Sequence, residues 1–344
     1  MALDYTLLKE LTETPGIPGW EDRVRARVLE AVKPLVDEVR TDALGNVIAH
    51  KRGRGPRVML AAHMDEIGFY VRHVDARGFL RLQPAGGFDA RNLFARQVVV
   101  HAREGDLVGV LNPGGRPIHL STPEERKKVP EIREFFVDLG LPADEVQARV
   151  RVGDPVTLRQ ETLDLGRVLT GKAMDDRASV FLLIEALKAL AGKTPAYDVY
   201  AVFTTQEEVG LRGAVTSAYG VEPEIGIALD VTLAVDTPGA PEEEAVTRLG
   251  EGVGIKVMDG ASISDRRLVT TFVDLAEKKK IPYQMEVLPL GGTDAGAIQR
   301  ARAGVPAITL SIPTRYIHTV TETVHKADLE AGVNLLVAYL LGEA

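Results

Sequence analysis

The sequence predicts an α/β protein with a mostly parallel central sheet, helices on both faces of that sheet, and a small inserted β-rich domain. From about residue 160 onward, short apolar runs such as YDVYAVFTT alternate with helical patterns such as DRRLVTTFVDLAEKKK. Alternation of this kind is typical of parallel strands joined by covering helices. The first sixty or so residues fit the same layer, because DRVRARVLEAVKPLV has helical periodicity and RVMLAAHMD has the pattern of a core strand.

The middle of the chain has a different pattern. It is β-rich and punctuated by Gly and Pro, as in QVVVHAREGDLVGVL and ARVRVGDPVTLRQ, and TPEERKKVPEIREFFVDLG is its one clearly helical segment. We therefore expect residues 67–160 to form a separate small domain, and residues 1–66 and 161–344 to form one discontinuous α/β domain.

Composition excludes several classes of function. The 344-residue chain is 45% hydrophobic and 26% charged, as in ordinary globular proteins, and its net charge of −8 with dispersed Lys and Arg argues against nucleic acid and anionic membranes. The absence of cysteine excludes disulfides, thiolate metal sites and cysteine nucleophiles. The N-terminal segment lacks a signal-peptide pattern, and no apolar stretch approaches the roughly 18 residues of a membrane span. We expect a cytoplasmic protein without a membrane or nucleic-acid partner.

Histidines and carboxylates follow the predicted strands, at the edge where open α/β sheets bind ligands. They are His63 and Asp65 after VMLAA, Glu207 and Glu208 after YAVFTTQ, Asp230 after IGIAL, His318 after ITLSIPTRYI, and Asp175 with Asp176 at the start of the apolar helix RASVFLLIEALKAL. Such ligands suit zinc, cobalt or manganese, and they exceed what one tetrahedral zinc needs. We therefore predict two metals that share a bridging carboxylate. One of the adjacent glutamates would bind a metal, and the other would handle a proton from water.

Each of these residues alone has an ordinary structural explanation. A His-x-Asp pair after a strand can be a loop or capping pair, adjacent glutamates can open a helix, and MDDR can be a cap with a salt bridge. Asp230 and His318 are weak signals alone. Their occurrence together, at five separate strand ends or helix starts, favours a metal centre.

Six ordered motifs closely resemble those of the tetrahedral (TET-type) aminopeptidases, a family of dinuclear metallopeptidases that includes glutamyl and deblocking aminopeptidases. The motifs are AAHMDEIGF, GKAMDDRASV, TTQEEVGLRGA, ALDVT, GGTDAGAI and SIPTRYIHT. The resemblance runs through nearly the whole chain and implies a zinc-exopeptidase-like fold. One departure is TVTET after His318, which replaces a more common small residue plus proline and puts the shape of that loop in doubt.

The resemblance implies a role for each candidate residue. His63 and Asp230 would bind one metal, Glu208 and His318 the other, and Asp175 would bridge them, although the sequence leaves Asp176 open for that position. Glu207 would be the general base and acid. Asp65 would accept a hydrogen bond from the second imidazole nitrogen of His63 and so fix its tautomer.

The implied activity is that of a metallo-aminopeptidase with two divalent ions, Zn²⁺ or Co²⁺, which releases N-terminal residues from short peptides. A carboxypeptidase or deacylase is an alternative, because related enzymes share the metal core. Glycoside hydrolysis is another; it would need two carboxylates and no metal. A non-enzymatic scaffold is disfavoured because every expected ligand and the base are present. The resemblance also implies a homo-oligomer, typically a hollow tetrahedral dodecamer whose dimers meet through the β-rich domain.

Overall fold

The computed structural model describes residues 3–343. Residues 1, 2 and 344, where the predicted α/β segments begin and end, lie outside the described part. The helices of the described chain are α1 (Thr6–Glu13), α2 (Asp22–Val32), α3 (Pro123–Lys127), α4 (Ala143–Arg149), α5 (Met174–Ala189), α6 (Arg212–Val221), α7 (Arg266–Lys279), α8 (Asp294–Gln299) and α9 (Lys326–Leu340). No helix within residues 3–343 combines the length and the apolar character that a membrane span requires.

The strands form one large sheet and one closed barrel. Those of the sheet are β1 (Glu38–Thr41), β2 (Val47–Lys51), β3 (Arg57–His63), β10 (Leu163–Asp164), β11 (Val168–Gly171), β12 (Asp198–Thr204), β13 (Ile225–Leu233), β14 (Val253–Met258), β15 (Tyr283–Val287), β16 (Ala307–Arg315) and β17 (Glu322–His325). Those of the barrel are β4 (Gly68–Val74), β5 (Leu80–Ala85), β6 (Arg96–Ala102), β7 (Gly105–Pro113), β8 (Phe135–Asp138) and β9 (Pro155–Leu158).

The centre of the sheet is parallel. Strands β12, β3, β13 and β16 lie side by side in that order and all run in the same direction. Antiparallel strands extend the sheet on both sides, with β2 and β1 next to β12, and β17, β11 and β10 beyond β16. The predicted fold class, an α/β protein with a mostly parallel sheet and a small β unit, is confirmed.

Helices cover both faces of the sheet, and the alternation of side chains along β3 demonstrates this. Val58, Leu60 and Ala62 pack into the main core with α5 and α9, whereas Met59 and Ala61 pack on the opposite face against α6 and α8. Successive side chains of a strand point to opposite faces, so a strand buried on both faces reads as one continuous apolar run. This is why VMLAA shows no alternation in the sequence.

The barrel has its own apolar core, and one element prediction there is wrong. Of the segment predicted to be helical, only Pro123–Lys127 forms a regular helix, and Phe135–Asp138 forms strand β8 instead. Pro130 interrupts the pattern, because proline cannot donate the helix hydrogen bond and disfavours helix in the residue before it. Phe135 and Val137 then point into the barrel core with the period of a strand.

Candidate metal centre

The predicted ligands meet at the carboxyl edge of the parallel strands. His63 is the last residue of β3 and lies opposite Thr204, the last residue of β12. Asp230 lies near the end of β13, which pairs with β3 on its other side. His318 follows β16. Because these strands are parallel and adjacent, residues distant in sequence reach the same edge.

Asp175 lies between the two histidines. Its Oδ1 is 3.0 Å from Nε2 of His63, and its Oδ2 is 3.3 Å from Nε2 of His318. The same His318 nitrogen is 3.3 Å from Oε2 of Glu208. Nε2 of His63 is 4.0 Å from Oδ1 of Asp230 and 3.9 Å from Oε2 of Glu207. One carboxylate thus presents a separate oxygen to each imidazole.

Asp176 has a different environment from Asp175. Its Oδ2 accepts a hydrogen bond of 3.2 Å from the backbone N–H of His63, and its buried Oδ1 has no hydrogen-bond partner among the described residues. It also has an oxygen within 4.8 Å of oxygens of Asp175 and Asp230. The peptide bond between Asp175 and Asp176 is cis, and both residues have non-helical backbone angles, so the regular part of α5 begins at Arg177.

The hydrogen bonds of Asp65 differ from the prediction. Nδ1 of His63 is 3.0 Å from the backbone carbonyl oxygen of Asp65 but 3.7 Å from its Oδ1, so the carbonyl, and not the carboxylate, accepts the imidazole hydrogen bond. The carboxylate instead accepts the backbone N–H groups of Glu207, at 3.0 Å, and Glu208, at 3.1 Å. These two donors lie in the turn after β12, where no strand partner accepts from them, and this leaves them free for Asp65.

Burial of several acids at one place perturbs their ionisation. Loss of hydration, together with neighbouring carboxylates, raises the pKa of Glu207, Asp230 and Asp176 well above the ordinary values. Burial opposes ionisation of Asp175 too, but hydrogen bonds from His318 and His63 outweigh it and lower the pKa of Asp175. Burial alone would lower the pKa of His318, yet contacts with Asp175 and Glu208 raise it to about 11. The crowded carboxylates therefore disfavour one another's ionised forms, and a cation placed among them would favour those forms.

Two further acids, Glu322 and Asp294, lie in this region, and the sequence analysis did not predict them as site residues. Glu322 accepts the backbone N–H groups of Asp175 and His318. Asp294 is buried; its Oδ2 accepts the Thr204 hydroxyl at 2.5 Å, and its Oδ1 has no partner among the described residues. Both lie in segments that the sequence analysis singled out, TVTET and GGTDAGAI. No spacing signal in those segments could have indicated what the side chains contact.

Two features of neighbouring segments are engaged in contacts within the chain. The GGTDAGAI segment begins a helix, in which Thr293 Oγ1 accepts the backbone N–H of Ala295 at 3.3 Å. Arg315, the last residue of β16, donates two hydrogen bonds to Asp236, of 2.5 and 2.8 Å. Its guanidinium is thus engaged within the chain.

Comparison with known proteins identifies the family of this chain. Residues 45–335 match the protein family described as M42 glutamyl aminopeptidase. The lysyl aminopeptidase of Pyrococcus furiosus is 36% identical over 98% of this chain and 97% of its own length. An aminopeptidase of Desulfurococcus kamchatkensis superposes with a TM-score of 0.93 at 42% identity, over 98% of this chain and 94% of that one. The TET1 peptidase of Pyrococcus horikoshii, described as assembling into a tetrahedron or a large octahedral shell, gives a TM-score of 0.87 at 33% identity, over 97% of this chain and 98% of that one.

Proposed function

Because this chain belongs to the M42 glutamyl aminopeptidase family and is a peptide hydrolase, we propose that it is an aminopeptidase dependent on two divalent metal ions. The observation that carries this proposal is the position of Asp175, whose two oxygens face the two imidazoles at 3.0 and 3.3 Å. A carboxylate placed in this way can serve two cations at once.

The donor set fits such ions. His63 and Asp230 would hold one metal, Glu208 and His318 the other, and Asp175 both. Imidazole and carboxylate donors suit zinc and cobalt. The buried Glu208 Oε1 has no partner within the described chain, and a buried carboxylate oxygen without a hydrogen bond is costly unless a cation or donor faces it. When bound, the metals would supply Lewis acidity for the scissile carbonyl and lower the pKa of water.

Glu207 would move the proton. Its carboxylate is about nine-tenths buried and lies beside the ligands, with Oε2 at 3.9 Å from Nε2 of His63. Burial raises its pKa, and a base is most effective when its pKa is near the working pH. Oε2 would take the proton from the attacking water and then deliver it to the leaving amine. The Asp65 carboxylate would support this step, because it accepts a hydrogen bond from the backbone N–H of Glu207 and thereby fixes the turn that carries the base.

Substrate class and assembly follow from the family. The substrates would be short peptides with a free N-terminus, processed one residue at a time. Like the Pyrococcus horikoshii relative, the chain would assemble into a tetrahedral shell, and the domain of residues 67–160 would serve that assembly. A cytoplasmic location remains a prediction of the sequence.

The test combines metal analysis with a panel of aminoacyl p-nitroanilides, with and without an N-terminal blocking group. We expect about two equivalents of metal per chain, release from free-amine substrates only, loss of release on chelation and recovery with Zn²⁺ or Co²⁺. Metal without release would favour the carboxypeptidase or deacylase alternative. Activity that is insensitive to chelation, or a chain that binds no metal, would contradict the proposal.

A further inference from the structure

Glu322 is a buried acid at a junction between strands. It is the first residue of β17, it is 2% exposed, and it lies opposite Gly171 at the end of β11. The chain leaves β11 toward Asp175 and enters β17 from His318. Glu322 therefore lies between the two segments that carry these proposed ligands.

Its carboxylate joins the two segments directly. Oε1 accepts the backbone N–H of His318 at 2.7 Å, and Oε2 accepts the backbone N–H of Asp175 at 3.0 Å. The two donors are 143 positions apart in the chain. A single rigid carboxylate thus fixes the spacing of their backbones, because it accepts through both oxygens.

Regular secondary structure does not hold either donor. His318 lies in a loop with a φ of +64°, a conformation that non-glycine residues adopt rarely, and Asp175 has non-helical backbone angles. The two hydrogen bonds to Glu322 are the contacts that fix these backbones where the imidazole and the carboxylate must meet.

The same arrangement occurs on the other side of the centre. The Asp65 carboxylate accepts the N–H groups of Glu207 and Glu208, and the Glu322 carboxylate accepts those of Asp175 and His318. Two buried carboxylates therefore hold the backbones of four residues whose side chains converge on one point. Groups of this kind orient metal ligands without touching the metal.

We infer that Glu322 is a positioning residue that sets the distance between the His318 imidazole and the Asp175 carboxylate, and thereby the affinity for the cation that these two residues share. The inference rests on the proposed metal dependence. It assigns to this chain a determinant of metal affinity that contacts neither metal nor substrate.

The test is Glu322→Gln, with Asp328→Asn as the matched control. Glutamine keeps one carbonyl oxygen, so one of the two N–H donors loses its acceptor and faces an amide NH₂ instead. Asp328 is also fully buried and accepts two backbone N–H groups, those of Gly250 and Gly252, both at 2.8 Å, and neither glycine carries a proposed ligand. Both variants thus make the same chemical change in the same kind of contact.

Metal-depleted wild-type and variant proteins are titrated with Zn²⁺ against a competing chelator, and with Co²⁺ while the visible absorption spectrum is recorded. For Glu322→Gln we expect the affinity for one of the two equivalents to fall about 10- to 100-fold, with an altered cobalt spectrum. At saturating metal, kcat should fall while KM changes less than twofold. Asp328→Asn should keep both affinities and the spectrum, whatever its effect on thermal stability.

Unchanged affinities and spectrum in folded Glu322→Gln would overturn the inference while leaving the proposed metal dependence intact. Equal losses in both variants would overturn it as well, because they would indicate a general effect of stability. If the wild-type protein binds no metal, the proposed function fails and the inference fails with it. Loss of affinity confined to Glu322→Gln supports both.

Discussion

At the scale of single residues, side chains of the same type in this centre have different environments, and we therefore propose different roles for them. Glu207 and Glu208 are adjacent, and Asp65 holds both backbones, yet the Glu208 carboxylate reaches His318 whereas that of Glu207 lies nearer His63. Asp175 reaches both imidazoles, whereas Asp176 accepts a backbone N–H. The contact that each carboxylate makes, and not its residue type, distinguishes the proposed ligands from the proposed base and from the supporting group.

Replacing Glu207 by Gln tests the proposal that Glu207 is the general base and Glu208 a metal ligand. Glutamine cannot take a proton from water, and general bases typically contribute 10²- to 10⁴-fold, so we expect kcat to fall by about that factor. The variant should still bind two equivalents of metal, as measured by elemental analysis of the purified protein. Retained turnover would remove Glu207 from its role as the base.

Glu208→Gln is the matched variant one position along the chain. Because Glu208 is the proposed ligand, its loss should lower metal content and activity together. If Glu207→Gln were the variant that lost metal, the two roles would have to be exchanged. The structure would allow Glu207 to bind a metal, since oxygens of Glu207 and Asp230 and a nitrogen of His63 lie within 4.8 Å of one another.

At the scale of elements, the turn that presents the two glutamates depends on close packing against the start of α6. Asn46 Oδ1 accepts the backbone N–H of Thr205 at 3.0 Å, and its Nδ2 donates to the carbonyl oxygen of Gly213 at 3.1 Å. A Cβ on Gly213 would lie 2.5 Å from the carbonyl oxygen of Thr205 and 2.6 Å from its nitrogen. The glycine thus lets the helix approach the backbone that leads into the site.

Gly213→Ala should consequently impair both stability and catalysis. Overpacking of this kind costs about 1–3 kcal/mol, and the clash is with backbone, so it should shift the turn and lower kcat as well as the free energy of unfolding. Urea denaturation and steady-state kinetics measure the two effects. A variant with wild-type kcat would show that the turn is positioned independently of α6.

Gly220→Ala is the control within the same helix. A Cβ there would meet nothing closer than the Arg40 guanidinium at 4.0 Å. Alanine favours helix over glycine by about 0.5–1 kcal/mol, so this variant should be slightly more stable than wild type and equally active. The sign of the stability change should therefore differ between two identical substitutions seven residues apart.

At the scale of the whole molecule, the barrel presents apolar side chains that its own core does not cover. Ile118 is 65% exposed, Leu120 68% and Val129 54%, and all three lie in the segment between β7 and β8. Exposed apolar side chains concentrated in one segment are candidates for protein–protein contacts. They fit the proposal that this part of the chain serves assembly.

The expected assembly is measurable as mass. Twelve copies of the 37.2 kDa chain give about 446 kDa, and light scattering coupled to size-exclusion chromatography should detect a particle of that mass. Leu120→Glu should shift the protein to smaller species, because it places a charge in the proposed contact. Val215→Glu, at a 55% exposed valine on α6, should leave the mass unchanged; a wild-type monomer would contradict the assembly.

The sequence by itself determined the fold class and the set of residues that reach the edge of the sheet. Apolar runs with helical patterns between them have few solutions other than parallel strands covered by helices. Residues at or just after the carboxyl ends of such strands must then gather at one edge, as His63, Asp230 and His318 do. These conclusions need only the positions of the strand ends, which are local properties of the chain, and the helical segments between strands, which favour parallel pairing.

Only the tertiary structure decided which atom contacts which. Asp65 uses its carbonyl for His63 and its carboxylate for two backbone donors, Asp175 rather than Asp176 faces both imidazoles, and Glu322 joins segments far apart in sequence. Hydrogen-bond partners and packing depend on distances of a few ångströms between segments more than a hundred residues apart, and no local pattern encodes those distances.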